Sequence, residues 1–179
     1  MYLCAQKNNK MGRIFLIGYM GTGKTTLGKM LAKRLEMQFV DLDGYIERRF
    51  FKTIAQIFEE KGEEGFRKIE QAMLLEIADF ENTIIAVGGG TPCFFDNMRV
   101  MNEKGLTVYL KTSPEALYKT LLKARMKRPL IKDKTDEELL AFVGESLAKR
   151  EDFYARAQAT MNAEDDMERN MQLIAALMP

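Results

Sequence analysis

Residues 18–25 read Gly18-Tyr19-Met20-Gly21-Thr22-Gly23-Lys24-Thr25 and match the pattern G-x-x-x-x-G-K-S/T at every position. Glycines at this spacing let the backbone curl so that its N–H groups point at phosphate oxygens. A strand predicted at 13–17 precedes the loop and a helix predicted at 24–36 follows it, which aims a helix N-terminus at the same anion. The stretch therefore predicts a site for the phosphates of ATP or GTP. The expected nucleotide ligands here are Gly21, Thr22, Gly23, Lys24, Thr25 and Thr26.

Two side chains of this phosphate loop carry chemistry of their own. Lys24 can reach the β- and γ-phosphates, and the hydroxyl of Thr25 can ligate Mg²⁺. We therefore expect Lys24 to act in catalysis and Thr25 to bind metal. The alternative is a chance glycine-rich turn, which the strand before it and the helix after it disfavour.

Short apolar runs alternate with amphipathic segments along the rest of the chain, a pattern typical of an α/β domain with a parallel sheet. Strands are predicted at 13–17, 38–42, 83–87, 106–110 and 159–162. Helices are predicted at 24–36, 45–50, 54–61, 63–78, 114–126, 135–154 and 163–177. We expect a single domain over 12–179, preceded by a disordered lead-in at 1–11.

The composition of the 179-residue chain narrows the possible chemistry. Lys and Arg number 27 against 26 Asp and Glu, so the net charge of +1 gives no electrostatic case for nucleic acid or membrane partners. The chain has no histidine, so acid–base work must use Asp, Glu, Lys or Tyr. Its two cysteines make no disulfide framework, and no apolar run reaches the roughly 18 residues that span a bilayer. We expect a monomeric, cytoplasmic protein.

Two aspartates follow the second predicted strand and three glycines follow the third. Ligands of a parallel sheet bind at these carboxyl ends of the strands. Asp41 and Asp43 lie on the same side of a chain predicted to be extended there, so that one can hold metal-bound water and the other can orient a nucleophile. Because the third strand ends in Gly88-Gly89-Gly90 rather than in an acid, Asp41 is the candidate metal ligand. The alternatives are a solvated aspartate pair and a flexible glycine turn.

Several arginines are candidates for binding anions. Arg67 lies one helical turn from Glu70, and a carboxylate that fixes the guanidinium fork suits it to bind a carboxylate ligand. Arg125 and Arg128 lie in a segment at 119–134 that holds seven basic residues and one acid. A mobile arginine there can cover the γ-phosphate, which predicts a lid near 124–134. Taken singly, each arginine, including Arg150, is better explained as a surface residue.

In this order, the motifs resemble those of the shikimate kinase family. They are the phosphate loop, Asp41-x-Asp43, Phe66-Arg67-Lys68-Ile69-Glu70, Gly88-Gly89-Gly90, Arg128-Pro129-Leu130 and Arg150-x-x-x-Tyr154. The resemblance covers about residues 12–160. It implies a P-loop fold, a three-layer α/β/α domain with a five-stranded parallel sheet, and the transfer of phosphate from ATP to a shikimate hydroxyl, giving shikimate 3-phosphate and ADP.

The resemblance also implies roles for particular residues. Lys24 and Thr25 would serve the phosphates and Mg²⁺, and Asp41 would hold metal-bound water. Asp43 would bond the substrate hydroxyls and assist the attacking oxygen. Arg128 would close over the phosphates from the lid, and Arg125 would lie near the adenine. The pocket for shikimate would be formed by Asp43, Phe66, Arg67, Glu70, Gly88, Gly89, Gly90 and Arg150.

Three other functions fit parts of the pattern. A kinase acting on gluconate or a nucleoside monophosphate would share the loop and the arginines. A GTP-dependent switch is suggested by Asp41-Leu42-Asp43-Gly44, which spells D-x-x-G, although the chain lacks an N-K-x-D guanine motif. A nucleotide-binding module without catalysis is disfavoured by the intact lysine, threonine, aspartates and arginines.

Overall fold

A computed structural model describes residues 12–124 and 134–178 of the chain. Five strands form one parallel sheet in the order β2-β3-β1-β4-β5. The strands are β1 Arg13–Ile17, β2 Gln38–Asp41, β3 Thr83–Ala86, β4 Leu106–Lys111 and β5 Ala159–Asn162. The helices are α1 Lys24–Leu35, α2 Leu42–Phe50, α3 Ile54–Ile77, α4 Asn97–Lys104, α5 Pro114–Ala124, α6 Asp136–Tyr154 and α7 Met167–Ala176, with a 3₁₀ turn at Thr91–Cys93. The predicted fold, an α/β protein with five parallel strands, is confirmed.

Helices cover both faces of the sheet because successive side chains of a strand point to opposite faces. In β1, Ile14 and Leu16 face a cluster with α1 and α7, whereas Phe15 and Ile17 face a larger cluster with α2, α3, α4 and α6. A third, smaller cluster joins α5 and α6 to Tyr19 of the phosphate loop. This third cluster places α5 and α6 beside the phosphate loop.

Local capping starts several helices where the sequence predicts them. Thr53 and Gln56 form a capping box at the start of α3, and Thr135 and Glu138 form another at the start of α6. The hydroxyl of Ser113 accepts a hydrogen bond from the backbone N–H of residue 116, which caps α5. Each cap satisfies N–H groups that have no partner inside the helix.

Two local predictions are corrected, and two elements were not foreseen. The chain is not extended through Asp43, because Asp41 caps α2 and the helix begins at Leu42. The last helix begins at Met167 rather than at 163, because Asp166 caps it by accepting a bond from the N–H of Arg169. The 3₁₀ turn and α4 were not predicted, since their polar sequence has little apolar periodicity.

The predicted lead-in at 1–11 and the predicted lid, apart from its two end residues, lie outside the described residues. None of the helices in the described part of the chain combines the length and the apolar character needed to cross a bilayer.

Candidate active site

The phosphate loop curls between β1 and α1 because its glycines adopt backbone angles that other residues avoid. Gly18 has φ of 143°, and a Cβ at this position would lie 2.7 Å from the carbonyl oxygen of Leu110. Gly23 precedes α1 with φ of 86°, in the left-handed region. The turn therefore needs glycine at both positions, one for a close approach and one for its backbone angle.

Lys24 and Thr22 bond the carbonyl groups of the loop itself. The Nζ of Lys24 donates to the carbonyl oxygens of Gly18 and Tyr19, each at 2.8 Å. The hydroxyl of Thr22 donates to the same Tyr19 oxygen at 3.0 Å. These bonds join the side chains of the loop to its own backbone.

Thr25 and Asp41 present two oxygen ligands side by side. The hydroxyl of Thr25 donates to Oδ2 of Asp41 at 2.9 Å, while Oδ1 accepts from the N–H of Gly44 at 3.2 Å. Hydroxyl and carboxylate oxygens are ligands that Mg²⁺ prefers, and Mg²⁺ usually keeps several waters and substrate phosphates as its other ligands. Groups of three or more acidic or cysteine side chains that could hold a metal do not occur among the described residues. The pair therefore fits Mg²⁺ that arrives with a nucleotide rather than a metal held by protein alone.

Asp43 lies in the first turn of α2 and faces the triple glycine. A Cβ on Gly88 would lie 3.2 Å from Oδ1 of Asp43 and 3.2 Å from Oε1 of Glu70, so the two carboxylates flank one glycine. Water reaches Asp43 from the open side of the cleft. Nevertheless, desolvation by the surrounding protein, followed by the charges of Asp41 and Glu70, raises the pKa of Asp43 to about 6. Near neutral pH, this carboxyl group is thus poised to exchange a proton.

Arg67 is held in a fixed orientation on the acceptor side. Its Nη1 donates to Oε2 of Glu70 at 2.8 Å, and the Glu70 side chain is only 2% exposed, so the pair is not the surface ion pair considered from sequence. The guanidinium carbon lies 4.1 Å from the ring centre of Phe94, 5.2 Å from that of Phe66 and 5.9 Å from that of Phe58. Aromatic faces attract a guanidinium group and limit its movement.

The triple glycine joins the phosphate loop to both arginines. A Cβ on Gly90 would lie 2.8 Å from Nη2 of Arg67, and a Cβ on Gly89 would lie 3.4 Å from Nη1 of Arg150 and 3.4 Å from the carbonyl oxygen of Gly18. The hydroxyl of Tyr154 donates to the carbonyl oxygen of Gly89 at 2.5 Å. A side chain at Gly90 would therefore displace Arg67, whereas a Cβ at Gly89 would lie in contact with Arg150 and the phosphate loop.

A cleft of about 410 Å³ unites the phosphate loop, the aspartates and the triple glycine. Its lining consists of Met20, Gly21, Gly23, Lys24, Thr25, Thr26, Asp41, Asp43, Val87, Gly88, Gly89 and Thr120. A larger cavity of about 770 Å³ lies between β4, β5 and α6, but none of the predicted site residues lines it. We assign the chemistry to the smaller cleft because the reactive groups converge there.

The structure adds four residues that sequence reasoning missed, namely Tyr19, Phe58, Thr91 and Phe94. Thr91 directly follows the triple glycine, which is a signal that could have drawn attention to it. The aromatic residues carry no such signal, because ordinary core packing explains an isolated aromatic residue equally well. Arg125 and Arg128 lie outside the described residues.

Comparison with known proteins gives consistent matches. A family model described as Shikimate kinase matches residues 20–177. Shikimate kinases of Parabacteroides distasonis and Phocaeicola vulgatus are 56% and 51% identical to the chain, over 86% and 93% of it and over 89% and 95% of their own lengths.

Solved structures match as well. The crystal structure of shikimate kinase from Bacteroides thetaiotaomicron has a TM-score of 0.89 at 49% identity, covering 93% of this chain and 98% of that chain. Shikimate kinase from Acinetobacter baumannii, solved in complex with shikimate, has a TM-score of 0.80 at 34% identity, covering 93% of this chain and 94% of that chain.

Proposed function

The chain belongs to the shikimate kinase family, and on this premise we propose how the residues of its cleft divide the work of phosphorylating shikimate. The protein is a kinase that uses ATP with Mg²⁺ and transfers a phosphoryl group to shikimate in the shikimate pathway. One observation carries the assignment of roles: a Cβ on Gly89 would lie 3.4 Å from both Arg150 and the carbonyl oxygen of Gly18, so the nucleotide and acceptor halves of the site share a boundary at this glycine.

Lys24 is the residue we assign to the transferred phosphate. Its ammonium group already bonds two loop carbonyls at 2.8 Å, and phosphate oxygens compete for it when nucleotide enters the loop. A fixed cation at this position stabilises the charge that spreads over the phosphoryl oxygens during transfer. The backbone of Gly21–Gly23 and the N-terminus of α1 with Thr26 complete the nucleotide cradle.

Thr25 and Asp41 are the proposed metal-side residues. Bound Mg²⁺ neutralises phosphate charge during the reaction. The Thr25 hydroxyl would be a direct ligand, and Asp41 would accept hydrogen bonds from metal-bound water. Asp41 is suited to this because its other oxygen is fixed by the N–H of Gly44.

Asp43 is the proposed acceptor of the hydroxyl proton. Desolvation, together with the charges of the metal-side Asp41 and the acceptor-side Glu70, raises its pKa to about 6. The ionised form accepts the proton as the oxygen attacks, so we expect turnover to fall as the pH drops through this range.

The acceptor pocket combines two cations with unhindered backbone. Arg67 is fixed by Glu70 and lies over the ring of Phe66. Its planar guanidinium group suits a bidentate bond to a carboxylate. Arg150 approaches the same glycines from α6. We propose that this pair binds the shikimate carboxylate and that Gly88–Gly90 leave room for the ring and its hydroxyls.

Arg128 and Arg125 are proposed lid residues, on sequence grounds alone. Arg128 would close over the phosphates and Arg125 would lie near the adenine. We expect Arg128→Ala to keep most of its affinity for shikimate and to lose turnover, because a closing arginine acts on the transition-state charge. Calorimetric titration with shikimate and measurement of kcat check this, and an unchanged kcat would contradict it.

ADP release tests the proposed function directly. Purified protein with Mg²⁺-ATP should release ADP rapidly only when shikimate is present, and Asp43→Asn should abolish the stimulation. Asp152→Asn, on the exposed surface of α6, is the matched control and should behave as wild type. Absence of stimulation in wild type that still binds ATP would refute the assignment of shikimate as the acceptor.

We also propose that the protein acts as a monomer in the cytoplasm, without nucleic acid or membrane partners. The near-neutral net charge of +1 supplies no general attraction to anionic polymers. The Cys93 thiol is free. Light scattering during gel filtration should give the mass of one chain, and a dimer mass would contradict the monomer.

A further inference from the structure

We propose that Thr91 is a positioning residue that holds Arg67 in its binding orientation by acting through Glu70. The proposal rests on the proposed role of Arg67 in binding shikimate. It adds to the site a residue that touches neither the nucleotide cradle nor the metal ligands.

A continuous chain of hydrogen bonds runs from Asn97 to Arg67. The Nδ2 of Asn97 donates to the carbonyl oxygen of Thr91 at 2.9 Å, and the Thr91 hydroxyl donates to Oε1 of Glu70 at 2.6 Å. Oε2 of Glu70 then accepts from Nη1 of Arg67 at 2.8 Å. Asn97 and Thr91 are fully buried and Glu70 is 1% exposed, so water does not replace any bond that is lost.

Glu70 needs both of its partners because a buried carboxylate without hydrogen bonds is costly. One oxygen is occupied by Arg67 and the other by the single proton of the Thr91 hydroxyl. With both oxygens engaged, the plane of the carboxylate is fixed. Arg67, which bonds that carboxylate, therefore takes a direction that depends on Thr91.

Backbone hydrogen bonds join the 3₁₀ turn that carries Thr91 to the triple glycine. The N–H of Thr91 donates to the carbonyl oxygen of Gly88 at 3.1 Å, and the N–H of Cys93 donates to that of Gly90 at 2.9 Å. Phe94 directly follows the turn, and its ring centre lies 4.1 Å from the guanidinium carbon of Arg67. The turn and the residue after it thus supply both the hydroxyl that orients Glu70 and the ring that covers Arg67.

Fixed orientation matters because a bidentate bond to a carboxylate is made only within a narrow range of angles. An arginine that can swing loses freedom on binding, which weakens affinity. Loss of the Thr91 hydroxyl should therefore weaken the binding of shikimate and leave ATP largely unaffected.

Three variants at position 91 test the role of the hydroxyl. Thr91→Val keeps the shape and removes the hydroxyl, whereas Thr91→Ser keeps the hydroxyl. We expect Thr91→Val to raise the KM for shikimate and its calorimetric Kd by up to about tenfold, because the side chain of Arg67 must then be ordered when shikimate binds. The KM for ATP and kcat should change by less than about threefold, and Thr91→Ser should stay within about threefold of wild type. If Thr91→Val does not fold, Thr91→Ala is measured in its place.

A double variant tests whether Thr91 acts through Arg67. In an Arg67→Lys background, where the fork is already lost, Thr91→Val should add less than about a twofold further loss of shikimate affinity, because coupled residues are not additive. An unchanged Kd in Thr91→Val, an equal loss in Thr91→Ser, or full additivity with Arg67→Lys would each overturn the proposal. Failure of wild type to bind shikimate would instead refute the proposed function.

Discussion

Asp43 has a raised pKa because of desolvation and the neighbouring carboxylates. Its pKa in the folded protein is about 6, above the ordinary 3.8. A carboxyl group whose pKa rises on folding favours the folded state when protonated, so its contribution is fully present below pH 3.8 and is lost as the pH rises through about 6. We therefore expect Asp43→Asn to raise the melting temperature of the ligand-free protein at pH 8, with a smaller gain at pH 5; because water reaches this carboxylate and screens its charge, both gains should be small.

Thermal melts at the two pH values check this prediction. Asp152→Asn, on the exposed surface of α6, serves again as the control and should give the same small change at both values. A gain from Asp43→Asn that does not depend on pH would show that the ionised carboxylate costs no stability. A gain that is larger at pH 8 than at pH 5 would make Asp43 an example of stability given up for activity.

Tyr19 connects the phosphate loop to the acceptor pocket. Its ring is 1% exposed, packs against Leu117, Leu121, Leu139 and Val143, and lies with its centre 5.0 Å from the guanidinium carbon of Arg150. Its hydroxyl has no hydrogen-bond partner among the described residues. The ring, rather than the hydroxyl, is therefore the part that supports Arg150.

Replacing this ring should weaken acceptor binding selectively. We expect Tyr19→Leu to raise the KM for shikimate roughly 3- to 10-fold through loss of the cation–π contact, while Tyr19→Phe stays close to wild type. Steady-state kinetics with each substrate varied in turn measure the effect. Equal losses in the two variants would point to the hydroxyl and contradict this interpretation.

At the scale of elements, the kink of α3 shapes the acceptor pocket. The segments on either side of Gly62 were predicted from sequence as two helices, and the structure has one element broken by φ of 67° and ψ of −178° at that glycine. Eight residues of straight helix would separate Phe58 from Phe66 by about 12 Å. The kink instead stacks their rings with centres 4.3 Å apart, beside Arg67.

Gly62→Ala should therefore destabilise the fold through the backbone alone. A Cβ at this position would meet no other atom, yet the backbone angles are almost exclusive to glycine, so we expect a loss of about 1–3 kcal/mol in the free energy of unfolding. Gly144→Ala in α6 is the matched control, since its Cβ also has open space and its helical backbone should make alanine stabilising by up to about 1 kcal/mol. Urea denaturation measures both, and equal effects would contradict the assigned strain.

For the molecule as a whole, stability and activity are set at opposite ends of the sheet. Arg13, at the start of β1, donates to the carbonyl oxygens of Phe80 at 2.8 Å, Lys104 at 3.3 Å and Asp79 at 3.3 Å. It ties together the loops that enter β3 and β4. The cleft lies at the other end, beyond the carboxyl ends of the strands.

Arg13→Lys should lower stability without affecting catalysis. A lysine cannot span three carbonyls, so we expect a loss of about 1–3 kcal/mol in the free energy of unfolding and an unchanged kcat/KM. Lys104→Ala removes only an exposed ion pair at the same end and should cost less than about 1 kcal/mol. Denaturation and kinetics on the same preparations check both, and a fall in kcat/KM for Arg13→Lys would link the two ends.

Much of this molecule is encoded locally. The phosphate loop, the capped starts of α3 and α6, and the Arg67–Glu70 pair depend on residues within a few positions of each other, so their pattern is visible in the chain. The order of functional segments along the strands also predicts that Asp41, Asp43 and the triple glycine lie at one edge of the sheet.

Long-range packing decided the rest. The Thr91 hydroxyl bonds Glu70, 21 positions away, and Tyr154 bonds the carbonyl of Gly89, 65 positions away. Tyr19 meets Arg150 and Phe94 covers Arg67 only after the helices have packed on the sheet. No periodicity or short motif records such contacts, because they depend on how whole elements are positioned in three dimensions rather than on neighbouring residues.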